Sequence, residues 1–196
     1  MKATLHRRDV VNALLARRGD LMVVAGLGST AWDITAAGDH DLSFPLWGAM
    51  GSAAMIGLGI ALAQPRRRVL VVTGDGEMLM GLGSLATLGV QKPANLSVIV
   101  IDNEHYGETG MQETHTASGV DLAAIAKGAG FRQVRMVTDR KGVEGLRSMV
   151  HGESGPNFAQ VKVIAEKIPL VLPPREGALL KARFRRALLG PAADSQ

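Results

Sequence analysis

Val69-Leu-Val-Val-Thr-Gly-Asp-Gly-Glu-Met-Leu-Met80 opens the stretch that decides the fold, and Leu96-Ser-Val-Ile-Val-Ile-Asp-Asn103 closes it. Each end holds a continuous apolar run rich in β-branched residues, and each run stops at a polar pair: Gly74-Asp75 in the first, Asp102-Asn103 in the second. Strands that are apolar throughout, rather than alternating, belong to parallel sheets covered on both faces. Between the runs, Leu79, Leu82, Leu85 and Ala86 recur at helical spacing from Glu77 to about Val90, and Lys92-Pro93-Ala94-Asn95 ends that helix. The unit reads as strand, helix, strand, with an Asp and an Asn at neighbouring strand ends.

The rest of the chain repeats the alternation. Leu21–Ala25 reads as a strand ending in glycines, Met50–Ala63 as a small-residue helix, and Pro65–Arg68 as the turn before the strand at Val69. Asp121 caps a helix (DLAAIAKGAG) that stops at Gly128–Gly130. Val134–Val137 is a short strand, Lys141–His151 a helix and Phe158–Ile164 a last strand. The expectation is an α/β fold: a doubly wound, mainly parallel sheet with helices on both faces. Residues 1–168 form one domain, and 169–196 a Pro-punctuated basic tail that wraps the surface or contacts a partner.

Composition narrows the function. Hydrophobic residues make up 46% of 196 and charged ones 20%, enough for one substantial core. With no cysteine, thiolate metal sites, disulfides and cysteine nucleophiles are excluded, and a reducing cytoplasm is the expected location. The net charge of +4 is clustered at Arg66–Arg68 and Lys181–Arg186 without interleaved aromatics, so the clusters read as solvated surface rather than a nucleic-acid site. MKATLHRRDV lacks the apolar core of a signal peptide. The longest apolar stretch, Ala49–Ala63, falls short of the roughly 20 residues of a membrane span.

Open parallel sheets bind ligands at the carboxyl ends of their strands. Gly26-Leu27-Gly28, Gly74-Asp75-Gly76 and Asp102-Asn103 all fall there. Gly26-Leu-Gly-Ser-Thr-Ala31 matches the dinucleotide fingerprint, but that fingerprint needs a second strand ending in an acidic residue. The interval Thr35–Gly48 is polar, contains a proline and does not read as a strand. Asp and Asn oxygens are hard ligands suited to Mg²⁺, which fills its remaining positions with backbone, water or phosphate oxygens. A metal-bound diphosphate is therefore the leading reading, and a simple Gly-Asp-Gly turn the bland one.

Gly74-Asp75-Gly76 and, after some two dozen residues, Asn103 resemble the cofactor motif of the thiamine-diphosphate-dependent decarboxylase superfamily. Gly48–Ala53, the turn Ala61–Val69 and the helix Gly74–Gly89 are similar to segments of its sulfopyruvate and phosphonopyruvate decarboxylases, as are Tyr106-Gly107, Thr109-Gly110, Gln112 and Thr114. The resemblance implies a thiamine-diphosphate-binding fold and Mg²⁺ held by Asp75, Asn103 and the His105 carbonyl. Gly76 and Glu77 would offer N–H groups to the diphosphate. Gly28, Ser29, Thr30, Gly74 and Tyr106 would line the cofactor site, Gly48 would meet the aminopyrimidine and Met50 would support the bent cofactor. Ser29 and Thr30 have a plain alternative as helix caps, and Met50 as core filler.

The resemblance covers one half of such an enzyme. It implies a lyase subunit that is active only with a complementary pyrimidine-binding subunit, which carries the activating glutamate. The expected substrate is a small anionic 2-oxoacid such as sulfopyruvate; a phosphonopyruvate decarboxylase, another carboligase, an oxidative decarboxylase or a non-catalytic partner are the alternatives. Relatives have Gln-Pro-Thr where this chain has Gln112-Glu113-Thr114, and a carboxylate near the mouth would repel an anionic substrate. His115, in the loop GMQETHTASG, is a candidate proton donor, with an idle exposed histidine as its plain alternative.

Overall fold

The computed structural model describes residues 3–194. Six parallel strands form one sheet in the order β2-β1-β3-β4-β8-β7. These are β1 (Met22–Ala25), β2 (Ser43–Pro45), β3 (Val69–Gly74), β4 (Leu96–Asp102), β7 (Gln133–Val137) and β8 (Asn157–Lys162). A separate two-stranded hairpin joins β5 (His105–Tyr106) to β6 (Gln112–Glu113). The helices are α1 (Arg7–Leu15), α2 (Ser29–Ala36), α3 (Ala53–Ala63), α4 (Asp75–Met80), α5 (Ser84–Gln91), α6 (Leu122–Gly128), α7 (Arg140–His151) and α8 (Gly177–Leu189).

Alternation along the central strands divides the core into two layers, as the pleat requires. Met22, Val24, Val69, Val71, Val98 and Phe158 face α3, α5, α6 and α8. Val23, Leu70, Val72, Ile99 and Val161 face α1, α2 and α7. All five residues 69–73 of β3 and all seven of β4 are buried, which is why both read as unbroken apolar runs. The doubly wound α/β reading holds. Chain direction reverses between β1, whose crossover leads outward to β2, and β3, whose crossover leads the other way to β4. A crevice opens at such a reversal, at the carboxyl ends of the strands.

Four local expectations change. The interval Thr35–Gly48 does contain a strand: Ser43–Pro45 pairs parallel with Val23–Ala25. It is short and at the sheet edge, where a proline costs no ladder bond, so neither length nor apolar content announces it. The segment from Glu77 to Val90 is two helices, α4 and α5, broken at Gly81–Gly83. The small-residue helix starts at Ala53 instead of Met50, because Ala49 and Gly51 take positive φ values of 57° and 96°. Helix α1 was not anticipated, although Val10, Val11, Leu14 and Leu15 are spaced for one buried face. Asp121 acts as the expected N-cap, accepting from Ala124 N at 2.8 Å, and Asp139 caps α7 in the same way, accepting from Gly142 N at 2.8 Å.

Part of the basic sequence serves the fold. Arg68 Nη1 donates to Glu153 O at 3.0 Å and Arg67 Nη2 to Asp20 O at 3.2 Å. In the segment after residue 168, Leu180 and Phe184 of α8 are buried, with Phe184 packed on Phe44 at 5.5 Å between ring centroids. Trp47 Nε1 donates to Pro174 O at 2.8 Å.

Phe158, the second residue of β8, is fully buried and meets Phe131 edge-on at 5.7 Å. Phe158→Ala removes a side chain the sheet cannot refill, so urea unfolding should show stability lower by about 3–5 kcal/mol with an unchanged m-value.

Candidate functional site

The parallel register sets Gly74 beside Ile101, so the chain leaves β3 at Asp75 next to where β4 ends at Asp102 and Asn103. A cavity of about 370 Å³ opens there, lined among others by Ser29, Thr30, Met50, Gly74, Asp75, Gly76, Glu77, Asn103, His105 and Tyr106. Ten of the sequence-derived residues thus meet around one space. Gly28 is the N-cap of α2 beside it. Gly48 is exposed and outside the lining, as are His115 and Glu113.

Asp75 is 2% exposed and Asp102 0%, and a chain of hydroxyls holds them. Thr114 Oγ1 donates to Asp75 Oδ2, and Thr116 Oγ1 donates to Asp102 Oδ1 at 2.8 Å. The two hydroxyls are themselves 2.9 Å apart. Asp102 Oδ2 receives Gln160 Nε2 and Lys162 Nζ, the ammonium lying at 2.8 Å and also reaching Glu104 Oε1 at 2.6 Å. A buried carboxylate survives when its charge is matched and its lone pairs are filled. Asp102 meets both conditions. Asp75 has hydroxyl donors, but among the described residues it has no cation and no side chain donates to its Oδ1.

The electrostatic consequence is that the Asp75 carboxyl is pushed up to about 6, mainly by burial and further by the Asp102 charge, against the pull of the Thr114 and Thr116 hydroxyls. Burial also raises Glu77, whose Oε2 accepts from Thr73 Oγ1 at 2.9 Å while Oε1 has no hydrogen-bond partner of normal geometry. This second carboxylate explains a glycine that sequence spacing assigned elsewhere. A Cβ on Gly26 would lie 1.5 Å from Glu77 Oε2. The close approach that the dinucleotide fingerprint reserves for a pyrophosphate is taken here by a side chain of α4.

Several candidates have specific local engagements. Thr30 Oγ1 donates to Gly26 O at 2.9 Å, and neither Ser29 nor Thr30 caps α2 through its side chain. Asn103 Oδ1 accepts from His105 N at 3.0 Å, and Asn103 O meets His105 Nδ1 at 2.8 Å, a turn that aims both residues at the cavity. Gly107 and Thr109, noted in the sequence only for their spacing, also line the space, and Arg7, Leu27, Met80, Ile101 and Glu108 line it without having been assigned to the site from sequence. Arg7 sits in the unanticipated helix α1, and Glu108 in a loop with no periodicity to read. Lys162 and Gln160 lie on the last strand, where alternation shows burial but not partners.

The donor set fits a hard cation and a phosphate ester. One buried carboxylate lacks a cation, an amide oxygen shares its cavity, and both stand where backbone turns expose N–H groups. Among the described residues no group of three or more His, Cys, Asp and Glu is arranged to hold a metal. That suits a clamp in which only two side chains bind and phosphate oxygens supply the rest.

Comparison with known proteins agrees with this geometry. Residues 28–161 match the family described as thiamine pyrophosphate enzyme, C-terminal TPP binding domain. The chain belongs to that family. It is 37% identical over 159 residues to the sulfopyruvate decarboxylase subunit beta of Methanothermobacter thermautotrophicus, covering 81% of this chain and 82% of that one. It is 38% identical over 177 residues to the phosphonopyruvate decarboxylase of Streptomyces viridochromogenes, covering 90% of this chain but only 44% of the relative. A putative thiamin diphosphate-dependent enzyme from Mycobacterium smegmatis shares the fold, with TM-score 0.70 at 23% identity over 83% of this chain and 32% of that one.

Asp75 gives this site a pH signature. With the folded carboxyl near 6 and the unfolded one near 3.8, ionising Asp75 in the cation-free fold opposes folding. That cost is absent below about pH 4, grows as pH rises towards 6, and is complete above it, on the order of 3 kcal/mol. Asp75→Asn should therefore stabilise the cation-free chain at pH 7.5 and lose its advantage near pH 4. Chemical denaturation across that range reads the difference, and a pH-independent one would contradict the assignment.

Proposed function

We propose that the chain is the diphosphate-binding subunit of a split thiamine-diphosphate-dependent decarboxylase that converts a small anionic 2-oxoacid, sulfopyruvate in the first instance, to an aldehyde and CO₂. The observation that carries this reading is a difference in coverage. The chain aligns along most of a protein named as a beta subunit, yet along less than half of a single-chain phosphonopyruvate decarboxylase. It therefore corresponds to one half of the working unit. The complementary half would complete a hetero-oligomer, supply the pyrimidine-binding surface and carry the activating glutamate.

In this reading Asp75, through its free Oδ1, and Asn103 hold Mg²⁺ with help from the His105 carbonyl, and the backbone N–H groups of Gly76 and Glu77 face the diphosphate. Bound thiamine diphosphate supplies an electron sink that lets a 2-oxoacid lose CO₂. The residues of this chain position and shield that chemistry. Met50 lines the cavity with an apolar side chain, and the Thr114 and Thr116 hydroxyls donate to Asp75 Oδ2, which would leave Oδ1 to hold a metal ion. Gly48 is assigned to the aminopyrimidine contact, which lies at the face the other subunit would cover.

That face has the expected character. Helix α3 (AAMIGLGIALA) bears no charge, and its Met55 and Leu62 are 41% and 52% exposed, as is Met80 of α4 at 62%. Apolar exposure of this kind is what a partner surface covers. Phosphonopyruvate is the second substrate reading, supported by the identity to that decarboxylase. Glu113 is exposed and outside the cavity lining, so it does not argue against an anionic substrate. A cytoplasmic location belongs to the same proposal; among the described residues no helix is long and apolar enough to cross a membrane.

The pair of subunits, co-purified, tests this directly. Mg²⁺ with thiamine diphosphate should raise its melting temperature by several degrees, and Asp75→Ala should abolish that shift and decarboxylation together. Release of CO₂ from neither sulfopyruvate nor phosphonopyruvate would sink the substrate assignment.

A further inference from the structure

Arg7 is 4% exposed, and Asp33, which it shares with Arg8, does not answer its charge alone. Both of its hydrogen bonds leave from Nη1, to Ser29 O at 3.1 Å and to Asp33 Oδ2. The same Asp33, 0% exposed, also accepts from Arg8 Nε at 3.1 Å. Two guanidiniums thus share one carboxylate; Arg8 is partly exposed to water, whereas Arg7 is buried and its charge also acts on the Glu108 carboxylate. Such a charge is retained only when an anion completes it. Among the described residues, Arg7 Nε and Nη2 have no acceptor.

The Arg7 charge faces ligand space. Arg7, Ser29, Asn103, Gly107 and Glu108 line both the main cavity and an adjoining one of about 340 Å³. Lys167 adds a second cation to the adjoining cavity, whereas its Glu166 is paired with His6 at 2.9 Å. Ser29 begins the eight-residue helix α2, whose free N–H groups add partial positive charge. A carboxylate already lies at this spot: the Glu108 side chain rests on Gly28, where a Cβ would be 2.8 Å from its Oε1. Among the described residues Glu108 has no hydrogen-bond partner there, and what acts on its carboxylate is the Arg7 charge. Asn103 links the spot to the metal end of the cavity.

We propose that Arg7, with Ser29 and the first turn of α2, is a receptor for the terminal phosphoryl group of the bound diphosphate, and that Glu108 leaves this position when the phosphoryl group enters. Arg7 lies outside residues 28–161, the segment matched by the family, and reaches the site from α1. This inference rests on the proposed cofactor. A terminal phosphoryl group carries the charge and the three oxygens that the two open guanidinium nitrogens suit.

The test compares thiamine diphosphate with thiamine monophosphate, each titrated with saturating Mg²⁺ into the co-purified subunit pair. Arg7→Met is made together with Asp33→Asn, so that one cation and one anion leave together, and Asp33→Asn alone serves as the folding control. The double variant should bind the diphosphate about tenfold to a hundredfold more weakly, with monophosphate affinity nearly unchanged, the loss of one charge-assisted contact. Asp33→Asn alone and Arg7→Lys should keep most of the preference for diphosphate, and Glu108→Gln should strengthen diphosphate binding. If the double variant keeps the wild-type ratio of the two affinities, Arg7 is not the receptor. If it keeps that ratio while KM for the 2-oxoacid rises at least tenfold, the anion is the substrate's acid group and the phosphoryl assignment is overturned. Wild-type protein that binds neither thiamine ester overturns the cofactor reading itself.

Discussion

The register between β3 and β4 governs the rest of the site. Because Gly74 lies beside Ile101, two polar strand ends are delivered side by side at the point where chain direction reverses. A one-residue slip would turn Asp75 or Asn103 away and put an apolar side chain in its place. The register is secured by full burial of both strands, which makes every alternative pairing expose hydrophobic surface. The core therefore does more than hold the domain together: it sets the positions of the acidic and amide groups to within a hydrogen bond.

That arrangement carries an electrostatic cost that the surrounding side chains distribute unevenly. Asp102 is neutralised by Lys162 and saturated by Thr116 and Gln160, which makes it a structural post. Asp75, one strand over, shares the hydroxyl chain but has no cation, and burial lifts its carboxyl. Arg7, which shares the single Asp33 with Arg8, lines the same cavity beside Glu108. An incompletely matched anion on one wall and an incompletely matched cation on the other are complementary to a metal ion carrying a phosphate ester.

Much of this was legible in the sequence, for definite reasons. Continuous apolar runs showed that β3 and β4 lie in a covered parallel sheet, and the polar pairs ending them marked the site. Spacing then linked those pairs to a cofactor motif. What the sequence withheld depends on neighbours that no local pattern encodes. Strand β2 is three residues long and ends in Pro45, so it has no alternation to detect. The α4–α5 break lies inside an apolar pattern that continues across Gly81–Gly83. The fingerprint at Gly26 looked like a phosphate turn, and only the folded chain shows Glu77 pressed against it. Arg7 was invisible because its importance comes from sharing Asp33, 26 positions away, with Arg8.

The central claim is that this chain holds the metal–diphosphate end of the cofactor between Asp75 and Asn103. Anomalous diffraction from Mn²⁺, in crystals of the subunit pair grown with thiamine diphosphate, locates that metal without reference to activity. The account predicts a peak within coordination distance of Asp75 Oδ1 and Asn103 Oδ1 and against the diphosphate. A bound cofactor whose metal lies elsewhere, or is held by the other subunit alone, would contradict it.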